Sequence, residues 1–205
     1  YRMVLFPLLR RMGADLEMRV ERRGFHPKGG GLVRLKVKGG PLSPLRLEER
    51  GEPLRVLGRA CVQNLPETVA DRMLAAARKD VPELIAEKEI TSGASPGAGL
   101  TLAAEYRGTV LGWSALGERG MPAEKVGHAA ASCLRTVMDA GGTLDSRTAD
   151  QMITYMALAA GSSSFTVGRI SGHLASQMHL LPQFLPVSFV VGDSPPHRVD
   201  VLNRT

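Results

Sequence analysis

Between Pro122 and the pair Gly141-Gly142, the residues Val126, Ala129, Ala130, Cys133, Leu134, Val137 and Met138 recur at three- and four-residue spacing. That period draws one apolar stripe along a helix, with Pro122 and Glu124 in its first turn and the glycines as its stop. A helix with a single apolar stripe has to bury it, and a sheet is the expected surface for it to lie on. Candidate strands are not scarce. Leu16, Met18 and Val20 alternate, as do the residues from Leu32 to Val37, and Gly24-Phe25-His26-Pro27-Lys28-Gly29-Gly30-Gly31 lies between the two runs as in a hairpin. A helix from Arg2 to Met12, stopped by Gly13, precedes them, and Leu45–Leu47 continues in strand style up to a break at Glu49-Arg50-Gly51-Glu52-Pro53.

Beyond that break the pattern predicts a separate small α/β unit from Gly51 to about Gly112. It holds a strand at Arg55–Cys61, a helix at Pro66–Lys79 with Val69, Met73, Ala76 and Ala77 inward, a strand near Leu84–Thr91, and two strands flanking Arg107-Gly108. Ser92 to Gly99, small and rich in Gly and Pro, reads as a mobile connector. After the striped helix, a second helix is expected at Ser146–Ala160, capped by Asp145 or Ser146, with Met152, Ile153, Met156, Ala157 and Ala160 inward. A strand at Ser164–Val167, a helix at His173–Phe184 and closing strands at Val187–Val191 and Arg198–Leu202 follow. This order gives an α+β fold, with helices stacked on a mixed sheet.

Composition narrows the function classes. The 205 residues carry 26 Lys+Arg against 20 Asp+Glu, a net charge of +6, which suits a polyanion such as RNA without requiring one. Aromatic residues make up only 4%, thin for a module that recognises RNA by stacking bases. No apolar run approaches the roughly 18 residues of a membrane helix. The two cysteines, Cys61 and Cys133, are far apart in apolar settings and form neither a disulfide framework nor a metal motif, so a reducing cytoplasm is expected. A start at Tyr1, inside an amphipathic pattern, reads as a chain whose N-terminal part is missing. The motifs of P-loop NTPases, Rossmann dehydrogenases and zinc enzymes are absent.

Among the five histidines, His173 follows Ser171-Gly172 at a strand-to-helix junction. There it would sit beside exposed backbone N–H groups and the positive end of the helix dipole, where phosphate oxygens bind and a neutral imidazole can attack phosphorus. Position alone favours a capping or packing role for it. It likewise favours a helix-terminal role for Asp150 and Gln151, and a plain tight turn for Phe25, His26 and the glycines.

Five segments together resemble the RNA 3′-terminal phosphate cyclase family. They are Arg23–Gly31; Ser95-Pro96-Gly97-Ala98-Gly99; Leu116-Gly117-Glu118-Arg119-Gly120-Met121-Pro122-Ala123-Glu124-Lys125-Val126-Gly127; Ala149-Asp150-Gln151-Met152 with Met156-Ala157-Leu158-Ala159; and Gly172-His173-Leu174 followed by Phe184-Leu185-Pro186-Val187. The resemblance implies repeated units of a four-stranded sheet with two helices. Residues 1–50 would hold the end of the second repeat and the start of the third, 51–112 a small inserted α/β domain, and 113–205 the remainder of the third repeat. It also implies that ATP is used to convert an RNA 3′-phosphate into a 2′,3′-cyclic phosphate, with Mg²⁺ or Mn²⁺. His173 would be the nucleophile that takes up AMP, and Arg147, Thr148, Ala149, Asp150 and Gln151 would form the ATP-contacting stretch. Arg147 stands where an aromatic residue is common in the family, and His26 where a tyrosine is usual. One branch of the family lacks the nucleophilic histidine and serves RNA processing or ribosome assembly without catalysis; retention of His173 with Asp150-Gln151 sets this chain apart from it.

Overall fold

The computed structural model describes residues 1–203. Helix α1 (Leu5–Arg11) buries Leu5, Phe6, Leu8 and Leu9 and ends at Met12, after which Gly13 turns the chain at φ +90°. Strands β1 (Asp15–Arg22) and β2 (Leu32–Lys38) then form the expected antiparallel hairpin, with Met18 opposite Leu35 and Glu17 opposite Lys36. The two-residue period gathers its apolar side chains on one face. Leu16 and Met18 of β1 rest against the first core, whereas Val33, Leu35 and Val37 of β2 are exposed.

The second unit comprises β3 (Pro53–Gln63), α2 (Thr68–Asp80), β4 (Leu84–Thr91), β5 (Gly97–Tyr106), β6 (Val110–Leu116) and α3 (Ala123–Asp139). Its sheet has the order β4-β3-β5-β6, parallel between β3 and β4 and antiparallel elsewhere. Both helices contribute to one core with this sheet. The striped helix forms, but its buried residues are Ala123, Val126, Gly127, Ala130, Ala131 and Leu134, while Ala129, Cys133, Val137 and Met138 are half-buried. Gly127 explains the rotation. A Cβ there would lie 2.0 Å from the Met73 carbonyl oxygen, so glycine lets α2 and α3 approach backbone to backbone, and the stripe turns toward that contact. The unit with its own core therefore runs from Pro53 to Asp139, and the expected junction at Gly112 falls inside β6.

The hairpin tip docks on this second unit. Phe25 lies against Gly97, where any Cβ would overlap its ring, and the Lys28 N–H donates to Ser95 Oγ at 3.0 Å. Arg23 holds Glu89 with two bonds of 2.7 and 2.9 Å, and Arg59 adds a third at 3.2 Å. Ser92–Gly99 is thus a packed junction in place of the expected mobile connector: Ser95 is buried, its carbonyl accepts from the buried Gln63 amide at 2.7 Å, and residues from Gly97 onward belong to β5. The hydrogen bonds from Arg23, with its charge and that of Arg59, hold the Glu89 carboxyl down to about 2 against the opposing effect of burial. A carboxyl whose folded-state value is depressed contributes stability above its ordinary range and loses it as the pH falls toward that value. Glu89→Gln should therefore lower the thermal midpoint at neutral pH, by an amount equivalent to about 1 kcal/mol for a partly exposed pair, and the difference from wild type should fade between pH 4.5 and 2.

The third unit consists of α4 (Ser146–Ala157), β7 (Ser163–Val167), α5 (Gly172–Leu180), a 3₁₀ turn at Leu181–Gln183, β8 (Val187–Val191) and β9 (His197–Asn203). Its sheet order is β7-β9-β8. Leu45–Leu47 adds a fourth row beside β7: Arg46 pairs parallel with Ser164, the Leu47 N–H donates to the Ser164 carbonyl at 2.8 Å, and the Ser164 N–H donates to that of Leu45 at 3.1 Å. Four extended rows with two helices match the α+β unit expected. Helix α4 stops at Ala157, short of Ala160, and Ala160 is exposed. The side-chain amide of Asn203 caps this end, donating to the carbonyls of Met156, Ala159 and Gly161. Helix α5 gives way to the 3₁₀ turn at Pro182 and never reaches Phe184, which is 80% exposed.

Arg50 joins the last two units. Its guanidinium donates to the carbonyls of Val137, Met138 and Gly142 at the end of α3 and lies 5.5 Å from the centre of the Tyr106 ring. No helix among the described residues is long and apolar enough to cross a membrane.

Candidate active site

Helix α4 is capped by Asp145, a buried carboxylate that accepts from the Thr148 N–H at 2.8 Å, the Thr148 hydroxyl at 2.7 Å and the Gly112 N–H of β6 at 3.1 Å. Burial pushes its carboxyl up from the ordinary value, partly opposed by these three donors. The same residue thus caps α4 and fixes it to the edge of the second sheet. One residue into the helix, the Arg147 guanidinium lies 3.8 Å from the centre of the Trp113 ring, close stacking of a cation on an aromatic face. Beside this stack a cavity of about 300 Å³ is lined by Trp113, Cys133, Val137, Leu144, Asp145 and Arg169, among others.

The core face of α4 decides what its other residues can touch. Ala149, Met152, Ile153 and Met156 follow the helical period inward. Thr148 is 7% exposed with its hydroxyl committed to Asp145, and Ala149 is buried. Gln151 and Arg147 are exposed, and Asp150 is half-buried. Of the five residues expected to contact ATP, then, three present side chains outward and two face the protein interior.

Asp150 meets the start of α5. Its Oδ1 accepts from the Ser171 hydroxyl, and the same hydroxyl accepts from the Leu174 N–H at 2.9 Å, which makes Ser171 the N-cap. The Ala175 N–H is taken by the Ser171 carbonyl at 3.0 Å. That bond is the first of the helix ladder; of the four N–H groups that the helix start leaves without intrahelical partners, the Ser171 hydroxyl takes that of Leu174, and those of Gly172 and His173 are among the three left open toward an anion. His173 is exposed beside them, while Leu174 is fully buried and anchors the turn. One turn on, Gln177 donates to the Asp150 carbonyl at 2.6 Å and accepts from the Thr154 hydroxyl at 2.7 Å. His26 lies elsewhere, exposed at the hairpin tip. Among the described residues no group of three or more His, Cys, Asp or Glu side chains is placed to hold a metal ion.

The profile of the family described as RNA 3′-terminal phosphate cyclase matches residues 1–191, a span that runs from α1 through the hairpin, the second unit, α4 and α5 to the end of β8. The chain belongs to the RNA 3′-terminal phosphate cyclase family. Among curated relatives named RNA 3′-terminal phosphate cyclase, the one from Pyrobaculum neutrophilum is 40% identical over 195 residues, covering 92% of this chain and 56% of the relative. That of Nitrosospira multiformis is 38% identical over 200 residues, covering 93% and 56%, and that of Archaeoglobus fulgidus is 36% identical over 189 residues, covering 90% and 56%. The chain spans about half the length of these relatives. Beside the residues expected from the sequence, the structure brings Ser171, Gln177 and Trp113 against α4. Ser171 carries a local signal, a serine three residues before the N–H it caps; Trp113 has none, because a different segment brings it under Arg147.

Proposed function

We propose that the protein bearing this chain uses ATP to convert an RNA 3′-phosphate into a 2′,3′-cyclic phosphodiester, with His173 as nucleophile. The observation that carries this reading is the exposed imidazole at the capped start of α5, next to the N–H groups of Gly172 and His173. Family membership and the names of the relatives support the overall reaction.

In the first step an imidazole nitrogen of His173 attacks the α-phosphorus of ATP. A P–N bond forms, the P–O bond to the β-phosphate breaks, and pyrophosphate leaves. In the second, an oxygen of the RNA 3′-phosphate attacks the phosphorus of the histidine-bound AMP, and the imidazole leaves. In the third, the 2′-hydroxyl loses its proton and attacks the 3′-phosphorus, closing the ring and expelling AMP. Covalent transfer splits one difficult activation into in-line displacements. The helix start contributes donors where negative charge gathers on the α-phosphate oxygens. Exposed Arg147 and Gln151, with Asp150 at the junction of the two helices, are the ATP-contacting side chains in this proposal. Thr148 and Ala149 serve it through the shape and anchoring of α4.

Mg²⁺ or Mn²⁺ accompanies the triphosphate as part of the substrate. We assign the unit Pro53–Asp139 as the family's inserted domain and place the protein in the cytoplasm, consistent with free Cys61 and Cys133. Asp150→Ala should raise the ATP concentration for half-maximal rate by about tenfold or more, the loss of one hydrogen bond to a charged group, and lower the maximal rate as well, because the Ser171 hydroxyl loses its carboxylate partner. Initial-rate measurements across ATP concentrations test this, and unchanged kinetics would remove Asp150 from the ATP site.

A further inference from the structure

We infer that Ser171 and Gln177 are positioning residues that set the aim of His173, an inference that rests on the reading of His173 as the nucleophile. Helix α5 has nine residues, and Leu174 is its only buried one. So short and exposed a helix has little packing to fix where its first turn points. Side-chain hydrogen bonds to α4 supply what packing does not. The Ser171 hydroxyl makes two bonds at once, accepting from the Leu174 N–H and donating to the Asp150 carboxylate, so the helix cap and the link to α4 are one group. Gln177 also makes two, donating to the backbone carbonyl of the same Asp150 and accepting from Thr154, four residues further along α4.

These attachments bracket His173, one just before it and one a turn beyond. A single attachment would leave α5 free to pivot. Two attachments at different heights fix both its displacement along α4 and its rotation about its own axis, and with them the arc on which the imidazole swings. In-line attack on phosphorus is demanding in this respect, because the attacking nitrogen must stand opposite the leaving oxygen. Neither residue need touch ATP for its loss to be felt in the chemical step.

The test is formation of covalent protein–AMP from ATP labelled at the α-phosphate, followed in single turnover over a range of ATP concentrations. It uses the intact protein and its Ser171→Ala, Ser171→Thr, Gln177→Ala and His173→Ala variants, with a thermal melt of each. Misplacement of a reacting group by about 1 Å costs up to about 100-fold in rate. Ser171→Ala and Gln177→Ala are therefore expected to lower the maximal rate about 10- to 100-fold, with the half-saturating ATP concentration within about threefold of wild type. Ser171→Thr, which keeps the hydroxyl, is expected to restore the rate to within about threefold. Wild-type rates in both alanine variants, or losses confined to half-saturation, would overturn the inference while His173→Ala still abolished labelling. Should Ser171→Ala fail to fold, Gln177→Ala alone decides, since removing this half-buried side chain leaves the cap of α5 in place. Label retained by His173→Ala would overturn the nucleophile assignment and the inference with it.

Discussion

Alanine at His173 is expected to abolish cyclisation of RNA 3′-phosphate ends, by at least about 10⁴-fold, the scale on which removal of a covalent nucleophile acts. Stability should hardly change. The side chain is exposed, the cap on α5 comes from Ser171, and the turn is anchored by Leu174, so nothing buried is lost. Surface changes of this kind stay within about 0.5 kcal/mol. The pairing of full loss of activity with an unaltered melting temperature separates a chemical role from a capping or packing role, in which both would fall together. Turnover of a 3′-phosphorylated oligonucleotide and a thermal melt on the same preparation provide the check.

The largest effect on stability is expected at Asp145. Its carboxylate accepts from the Thr148 N–H and hydroxyl and from the Gly112 N–H, so Asp145→Ala removes the cap of α4 and leaves donors of two different units unpaired in the interior. A lost cap costs about 1–2 kcal/mol and an orphaned buried donor about 1–3 kcal/mol, for a total of roughly 3 kcal/mol in urea unfolding. The pH dependence has a defined sign. Burial raises the folded-state pKa above its ordinary value, so the contribution of this group is complete below the ordinary carboxylate range and declines as pH rises through the raised one. The stability difference between wild type and Asp145→Ala should accordingly narrow with rising pH across that window. A difference that widened would mean that the hydrogen bonds outweigh desolvation.

What was legible in the sequence and what was not divide along the range of the interactions involved. The periodicity of α4 already places Met152, Ile153 and Met156 inward, but Ala149, expected in the ATP-contacting stretch, packs inward with them while Arg147 and Gln151 point out. Its end was not legible, since Ala157 to Ala160 continue an apolar pattern and the cap that stops the helix is Asn203, far along the chain. The stripe of α3 was legible as a stripe but not in its orientation, because Gly127 carries no hydrophobic signal and yet marks the closest approach of α2. Likewise, Gly97 and Ser95 read as connector residues because their small size serves a partner, Phe25 and the hairpin tip, that only the tertiary fold brings near. Within the site, His173 and Asp150 stood out on family resemblance. Gln177 and Trp113 did not, since each matters only through a contact with α4.

The most direct test of the central claim is to incubate the intact protein with ATP labelled at the α-phosphate and map the modified peptide by mass spectrometry, with and without acid treatment. An acid-labile AMP adduct on His173, lost in His173→Ala, is the predicted result. An adduct on another residue would contradict the assignment of the nucleophile, and no adduct on a well-folded protein would favour a non-catalytic role in RNA processing.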